Sequence, residues 1–362
     1  MNLPPLAVGL PLLLPAHGRG RGLSPALRRL LRQRPGSWDL PELPEQGGPL
    51  IDTGAVAEAQ RRCASQLGAE AVWFGVNGAS GLLQAALLAL APPGSRVLLP
   101  RNLHRSLLHG CVLGQLRPVL FDLPFDPASG LWLPPSPAHL EVVLAAAEQD
   151  GPLAALVLVS PSYQGQRAEL PALVALAHGR GLPVLVDQAH GRGEALAAGA
   201  DLVVLSGQKA GGGLAQSAAL LLQGPRADRD AVARALLLLQ TSSPSALLLA
   251  SAAAALDDLT SSAGRRRWQA AWRCGERLQR RCRALGLPLV ANDAPLRLVL
   301  HTAAMGINGL GAKRKRLESC AARDRCPHHG PGAGALRRVG PHPAAVCEAA
   351  HGQQLRRARR VA

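Results

Sequence analysis

An α/β fold with a mostly parallel sheet, covered by helices on both faces, is what this sequence of 362 residues predicts. Two observations carry the prediction. From Val56 onward, short and nearly continuous apolar runs alternate with helix-length segments. Strands buried on both faces need apolar residues throughout rather than at alternate positions. The polar residues able to do chemistry also follow those runs directly. In a parallel sheet this collects them at the carboxyl edge, where ligands sit. The 48% apolar content suffices for a sizeable core, and with five Trp, three Phe and one Tyr that core is made of Ala and Leu.

The elements follow in order. Residues 1–55 are rich in Pro, Gly and Arg and read as an extended arm with one short helix near 25–32. Such an arm packs on another surface, in cis or on a second subunit, or stays solvated. A helix pattern runs over 56–67, and 71–76 is an apolar strand. Asn77-Gly78-Ala79-Ser80-Gly81 then opens an apolar helix that reaches 90 and ends at Pro92-Pro93-Gly94. Strands are predicted at 96–99 and 118–121, with a loop and helix over 101–113 between them. Residues 137–149 are a helix, 153–159 a fully apolar strand, 170–179 a helix, and 183–186 a strand ending in Asp187. The run 201–205 is a strand that delivers Ser206 and Lys209, and 217–222 is another. Three helices, 227–239, 245–259 and 265–285, precede a last strand at 296–301. The third is long and basic, and its charged face reads as solvated.

Charge divides the chain. Its net charge is +16, and residues 311–362 hold 12 Lys/Arg against 3 Asp/Glu, leaving 28 against 21 for the rest. A basic tail points toward nucleic acid or an anionic surface. No reader motif and no aromatic–basic interleaving accompanies it, so no nucleic-acid partner is expected. Cys320 and Cys326 with His328 and His329 form the one metal-like cluster, and their spacing fits no zinc motif, so no metal is expected. Leu3 to Pro15 is apolar but carries four prolines and no charged region, unlike a signal peptide. The apolar run 233–256 is interrupted by Gln240-Thr241-Ser242-Ser243-Pro244, which argues against a membrane span. A cytoplasmic, thiol-reduced protein is expected.

Three strand ends carry the chemistry, each with a plainer reading beside it. Gly78 to Gly81 opens a helix, where backbone N–H groups suit a phosphate, although such a loop is commonly a turn and cap. Asp187 ends a buried strand and needs a partner: a structural cation or a protonated ring nitrogen. Lys209 precedes Gly211, Gly212 and Gly213 and is either a surface loop lysine or one that forms an imine. Phosphate loop, then Asp, then Lys is the order used for pyridoxal phosphate. His104, His190, Ser160 and Thr241 to Ser243 follow other runs and are read alternatively as loop histidines, caps and turns.

The local words resemble the major domain of the bacterial ornithine/lysine/arginine decarboxylases, which are fold-type-I pyridoxal-phosphate enzymes. Val76-Asn77-Gly78-Ala79-Ser80 resembles the phosphate loop, and Asn102-Leu103-His104-Arg105-Ser106 the Asn-x-His-Lys-Ser segment. Ser160-Pro161-Ser162-Tyr163-Gln164-Gly165, Asp187-Gln188-Ala189-His190-Gly191 and Ser206-Gly207-Gln208-Lys209 resemble Ser-Pro-Thr-Tyr-x-Gly, Asp-Glu-Ala-His-Gly and Ser-Thr-His-Lys. Gln240-Thr241-Ser242-Ser243-Pro244-Ser245 resembles Gln-Thr-Thr-Ser-Pro-Ser, and Pro15-Ala16-His17-Gly18 is a fainter echo of Pro-Gly-His-Lys. The likeness covers roughly 15–310.

The resemblance implies a pyridoxal-phosphate decarboxylase of lysine, ornithine or arginine, acting as a homodimer in polyamine metabolism. It implies that Lys209 holds the cofactor covalently, Asp187 pairs with the ring nitrogen, His104 stacks on the ring, and His190 lies near the ring's phenolate oxygen. Asn77, Gly78, Ala79, Ser80, Ser160 and Ser206 would complete the cofactor site. Thr241, Ser242 and Ser243 would reach the phosphate across the dimer interface. Other fold-type-I reactions, an impaired homologue and a non-enzymatic binder stay open. The chain departs from the pattern at Ala79, where a hydroxyl residue is usual, at Gly207-Gln208 beside the lysine, at Ala246, where an aromatic is usual, and in a short segment between Asp187 and Lys209. The expected organisation is an arm at 1–55, a cofactor-binding major domain at 56–300, and a remnant of a small domain at 301–362. Beyond 310 the apolar periodicity stops, and only 6 of 52 residues are Leu, Ile, Val or Phe. A frame change near 311 or a basic, disordered tail is expected, with the small C-terminal domain largely missing.

Overall fold

The computed structural model describes residues 17–306, apart from 19, 35, 41 and 42, and the backbone of 346–349. Its centre is a seven-stranded sheet in the spatial order Ala71–Gly75, Ala218–Leu222, Leu202–Ser206, Val184–Asp187, Leu153–Val159, Arg96–Pro100 and Arg117–Phe121. The elements are α1 (Pro25–Leu30), α2 (Gly54–Leu67), β1 (Ala71–Gly75), α3 (Gly78–Leu90), β2 (Arg96–Pro100), α4 (Arg105–Leu113) and β3 (Arg117–Phe121). A hairpin, β4 (Phe125–Asp126) and β5 (Leu131–Trp132), leads to α5 (Pro137–Gln149), β6 (Leu153–Val159), α6 (Leu170–Gly179) and β7 (Val184–Asp187). Then come α7 (Glu194–Ala197), β8 (Leu202–Ser206), α8 (Gly207–Ala210), β9 (Ala218–Leu222), α9 (Arg229–Leu239), α10 (Ala246–Thr260), α11 (Ser262–Ala284) and β10 (Arg297–Leu300). The last, β11 (Val346–Ala349), pairs in parallel with β10.

The sheet is mostly parallel, as expected. The exception is β9, which runs antiparallel to both β1 and β8. An apolar run has no direction written in it, so nothing in residues 218–222 announced this. The consequence is functional: β9 starts at the edge where the parallel strands end, and Gln216, just ahead of it, accepts the Gly78 N–H at 2.8 Å.

Successive residues of each strand feed different faces, as the period of two requires. Val72, Phe74, Leu156, Leu158, Val203 and Leu205 pack under α2, α5, α6 and α10. Ala71, Trp73, Ala155, Val157, Leu202 and Val204 pack under α3, α4 and α9. Each fully buried Leu contributes roughly 1.5–3 kcal/mol of transfer free energy, so the absence of aromatics is offset by number. Helix starts are set by side-chain caps: Ser24, Ser136, Asp228 and Ser261 accept the N–H of Leu27, His139, Asp230 and Gly264. At the far end of the sheet, Asp201 is buried yet satisfied, accepting from Val184 N and His178 Nε2 at 2.8 Å each.

The described part of the arm makes contacts within this chain. Leu27 of α1 is buried, and the Gly22 carbonyl lies 2.7 Å from where a Cβ on Gly212 would stand, close to the Lys209 turn. The Cys320–His329 cluster and nearly all of the basic tail lie outside the described residues. Among the described residues, no helix is long and apolar enough to cross a membrane.

Candidate active site

Five strand ends meet at one edge. β1 delivers Asn77, β2 His104, β6 Ser160, β7 Asp187 and β8 Ser206, with Lys209 one turn further on. The turn is α8, whose backbone doubles back so that the Gly207 and Gly213 N–H groups bond the Ser217 and Gly207 carbonyls at 2.9 Å each. Gly-Gln-Lys-Ala followed by three glycines reads as loop, and no local pattern announces this turn.

Lys209 Nζ lies 3.3 Å from His190 Nε2. Asp187 is buried, and its Oδ1 accepts the Ala189 N–H at 3.0 Å. Desolvation pushes its pKa above the usual carboxylate value, while the Ala189 N–H, Lys209 and His104 pull it back. His104 caps α4, its Nδ1 2.8 Å from Ser106 Oγ. Burial lowers its pKa, opposed by Asp187 and reinforced by Lys209. Asp187, His104, His190 and Lys209 are thus one electrostatic group.

The phosphate-loop residues fold as a helix start. Gly78 has φ +70°, a left-handed conformation that glycine adopts without strain. Ser80 and Asn77 are exposed, and Asn77 Nδ2 donates to the Leu239 carbonyl at 3.2 Å. α3 has no side-chain cap at its start, and Ala79 and Ser80 lie in its first turn, where backbone N–H groups lack helical partners. Two N–H groups open at the start of a 13-residue helix form an anion cradle. Thr241, Ser242 and Ser243 are exposed, with Gln240 tied to the Phe74 carbonyl of the same chain at 3.3 Å. Ser206 is buried at the cap of α8. Ser160 is buried too, and its hydroxyl accepts the Ala168 N–H at 3.1 Å, which commits one side of it to the loop.

Gly207 also has a local reason. A Cβ there would stand 2.6 Å from Ser217 Oγ and 3.1 Å from the Ser217 carbonyl. The Ser217 hydroxyl, which donates to the Leu214 carbonyl at 2.7 Å, fills the space a side chain would take. Gly207→Thr is expected to cost about 1–3 kcal/mol through overpacking, and thermal unfolding of the variant checks it.

Two signals lay unread in the sequence. Lys209 is the only lysine before position 313, in a chain whose Lys and Arg number 40. Arginine serves as the cation everywhere else in that span, and guanidinium cannot deprotonate to act as a nucleophile. Arg297 is the other, the first residue of β10, inside the strand predicted at 296–301. Its guanidinium donates to the carbonyls of Ser162, at 3.0 Å, and Tyr163, and to His190 Nδ1.

An anion cradle, a buried carboxylate, an imidazole and an amine at one sheet edge are the set that pyridoxal phosphate needs. The fold agrees. The Escherichia coli constitutive lysine decarboxylase aligns with a TM-score of 0.59 at 21% identity, over 68% of this chain and 37% of that one. An L-threonine transaldolase of Pseudomonas fluorescens aligns with a TM-score of 0.54 at 19% identity, over 71% and 56%. The architecture is that of the fold-type-I pyridoxal-phosphate enzymes. Within that class, the chain belongs to the Orn/Lys/Arg decarboxylase family: the family's major domain matches residues 37–287. An arginine decarboxylase of Halalkalibacterium halodurans is 30% identical over 223 residues, 57% of this chain and 43% of that protein. The chain thus spans less than half the length of this relative.

Proposed function

We propose that the chain is a pyridoxal-phosphate-dependent decarboxylase of a basic amino acid, lysine, ornithine or arginine, releasing the corresponding amine and carbon dioxide. The observation that carries the reading is the position of Lys209. The sole lysine of the first 312 residues follows a buried strand, 3.3 Å from His190 and in the electrostatic field of Asp187. The family membership and the likeness to an arginine decarboxylase support arginine as the first substrate to try.

When bound, pyridoxal phosphate supplies an aldehyde for the amine and a cationic ring that accepts the electrons of the broken bond. Lys209, whose Nζ lies 3.3 Å from His190 Nε2, would be the residue that holds the cofactor's aldehyde. The Asp187 carboxylate holds a proton at the ring nitrogen. His104 would pack against the cofactor ring, and His190, beside Lys209, would face its polar edge. Asn77, Gly78, Ser80, Ser206 and the N–H groups of Ala79 and Ser80 would hold the phosphate, and Ser160 would complete the cofactor site.

We further propose a cytoplasmic homodimer engaged in polyamine metabolism, with Thr241, Ser242 and Ser243 completing the phosphate site of a second copy. The segment follows α9 directly, and Leu237 and Leu238 of that helix are 71% and 76% exposed, an apolar surface suited to a subunit contact. The division into an arm at 1–55, a major domain at 56–300 and a remainder at 301–362 belongs to the same proposal.

The test is direct. The full chain with pyridoxal phosphate is given arginine, lysine or ornithine, and carbon dioxide and amine are measured. Equal amounts of both from at least one substrate are expected. A 2-oxo acid in place of carbon dioxide, or no product from any of the three, overturns the assignment.

A further inference from the structure

Two hydroxyls cut off from solvent lie under the Lys209 turn. Ser217, just ahead of β9, and Ser251 of α10 are fully buried. A buried hydroxyl costs free energy unless it is bonded, and the bonds here close into a ring. The Leu214 N–H donates to Ser251 Oγ at 2.8 Å, the Ser251 hydroxyl to Ser217 Oγ at 3.4 Å, and the Ser217 hydroxyl to the Leu214 carbonyl at 2.7 Å. The direction of each bond is fixed. An N–H only donates and a carbonyl only accepts, so Ser217 gives its proton to Leu214, and Ser251 gives its own to Ser217. Removing either hydroxyl leaves a member of the ring without its partner.

The ring stands where the turn has no side chains. A Cβ on Gly207 would lie 2.6 Å from Ser217 Oγ, and one on Gly213 would lie 2.7 Å from the same atom. Neither glycine has a positive φ, so space rather than backbone conformation keeps them glycine. Ala255, four residues beyond Ser251 on the same face of α10, closes the turn from the other side. Its Cβ lies 2.8, 3.2 and 3.4 Å from where a Cβ on Gly211, Gly213 and Gly207 would stand. Backbone bonds complete the fastening. The Gly211 and Gly213 N–H groups donate to the Gly207 carbonyl at 3.2 and 2.9 Å, and the Gly207 N–H donates to the Ser217 carbonyl at 2.9 Å. Lys209 lies inside the loop that those bonds close. The pattern this chain resembles has Thr at 207; here the hydroxyl comes from Ser217.

We infer that Ser217 and Ser251 are positioning residues: their hydrogen-bonded ring, standing in the space that Gly207 and Gly213 leave, holds the turn that presents Lys209 to the cofactor. The inference rests on the reading of Lys209 as the cofactor lysine, and its first readout needs no cofactor. In hydrogen exchange of the cofactor-free full chain, Ser251→Ala is expected to speed exchange over residues 207–214 by about tenfold or more. Titration with pyridoxal phosphate, followed by the absorbance of the bound cofactor, gives the second. The dissociation constant is expected to rise about tenfold or more in Ser251→Ala and in Ser217→Ala. His178→Ala, which takes a partner from Asp201 at the far end of the sheet, controls for lost stability alone. It is expected to lower the melting midpoint and to keep the parent's affinity. The shared space has its own test. Gly207→Ala is expected to weaken cofactor binding, and to do so at least about threefold less once Ser217→Ala has vacated the space. Parent affinity in a folded Ser251→Ala overturns the inference. So does unmoved exchange at 207–214, or a Gly207→Ala effect that Ser217→Ala leaves unchanged. Should Ser251→Ala not fold, the Gly207–Ser217 cycle decides. Failure of the cofactor reading is separate: it is seen in the parent chain, when borohydride fixes pyridoxal phosphate on Lys313 or Lys315 and not on Lys209.

Discussion

Lys209→Ala is expected to abolish covalent cofactor binding, removing the absorbance band near ~420 nm, and to lower turnover by about 10³-fold or more. The decisive companion is Lys209→Arg. It keeps a cation beside His190 and Asp187, but a guanidinium stays protonated at every accessible pH and cannot attack an aldehyde. If the lysine served as a charge, Arg would substitute for it, as Arg does at every other cationic position before 313. If it serves as a nucleophile, Lys209→Arg is as inactive as Lys209→Ala. Borohydride reduction followed by mass spectrometry places the attachment. Cofactor trapped on the peptide carrying Lys209 supports the assignment, and cofactor trapped on Lys313 or Lys315, or a band that survives both variants, refutes it.

The sequence made the scaffold legible where burial has a period. The runs 71–76, 153–159 and 201–205 had to be strands covered on both faces, and each became one, with neighbouring residues divided between the two core layers. The residues at the strand ends were legible for the same reason, because a parallel sheet puts every strand's end on one side. What stayed hidden lacks a local signal. The hairpin of β4 and β5 has two residues per strand, too few for any alternation, and is held by the edge-on contact of Phe125 with Trp132, centroids 5.8 Å apart. The direction of β9 depends on which neighbours it pairs with. The reach of Arg297 to His190 joins positions far apart in the chain, and its own strand reads as apolar. Local words picked out the strand-end residues, whereas Arg297, which donates to His190, comes from the other side of a long helix.

Asp187→Asn is expected to separate stability from chemistry. The substitution keeps shape and keeps an oxygen for the Ala189 N–H, which now bonds Oδ1 at 3.0 Å. It removes a buried negative charge. In the cofactor-free chain that charge is costly, and desolvation raises the Asp187 pKa above the ordinary carboxylate value. A carboxyl whose folded pKa is raised supports the fold fully at pH below the unfolded value and loses that support as pH rises through the folded one. Parent and variant are therefore expected to be similarly stable in strong acid, with the parent falling behind as pH climbs through the raised pKa, so that cofactor-free Asp187→Asn is the more stable protein near neutrality. Turnover moves the other way. Without a carboxylate to hold the proton on the ring nitrogen, the electrons of the broken bond have a poorer sink, and turnover is expected to drop by about 10²–10³-fold, or about 3–4 kcal/mol of barrier. Thermal unfolding of both cofactor-free proteins across pH, paired with carbon dioxide release at saturating cofactor, measures the two effects independently. A variant that turns over normally removes Asp187 from the ring nitrogen. Identical pH dependence of stability removes it from the buried acids. Both effects together identify a carboxylate that the fold tolerates because the ligand supplies its counter-charge.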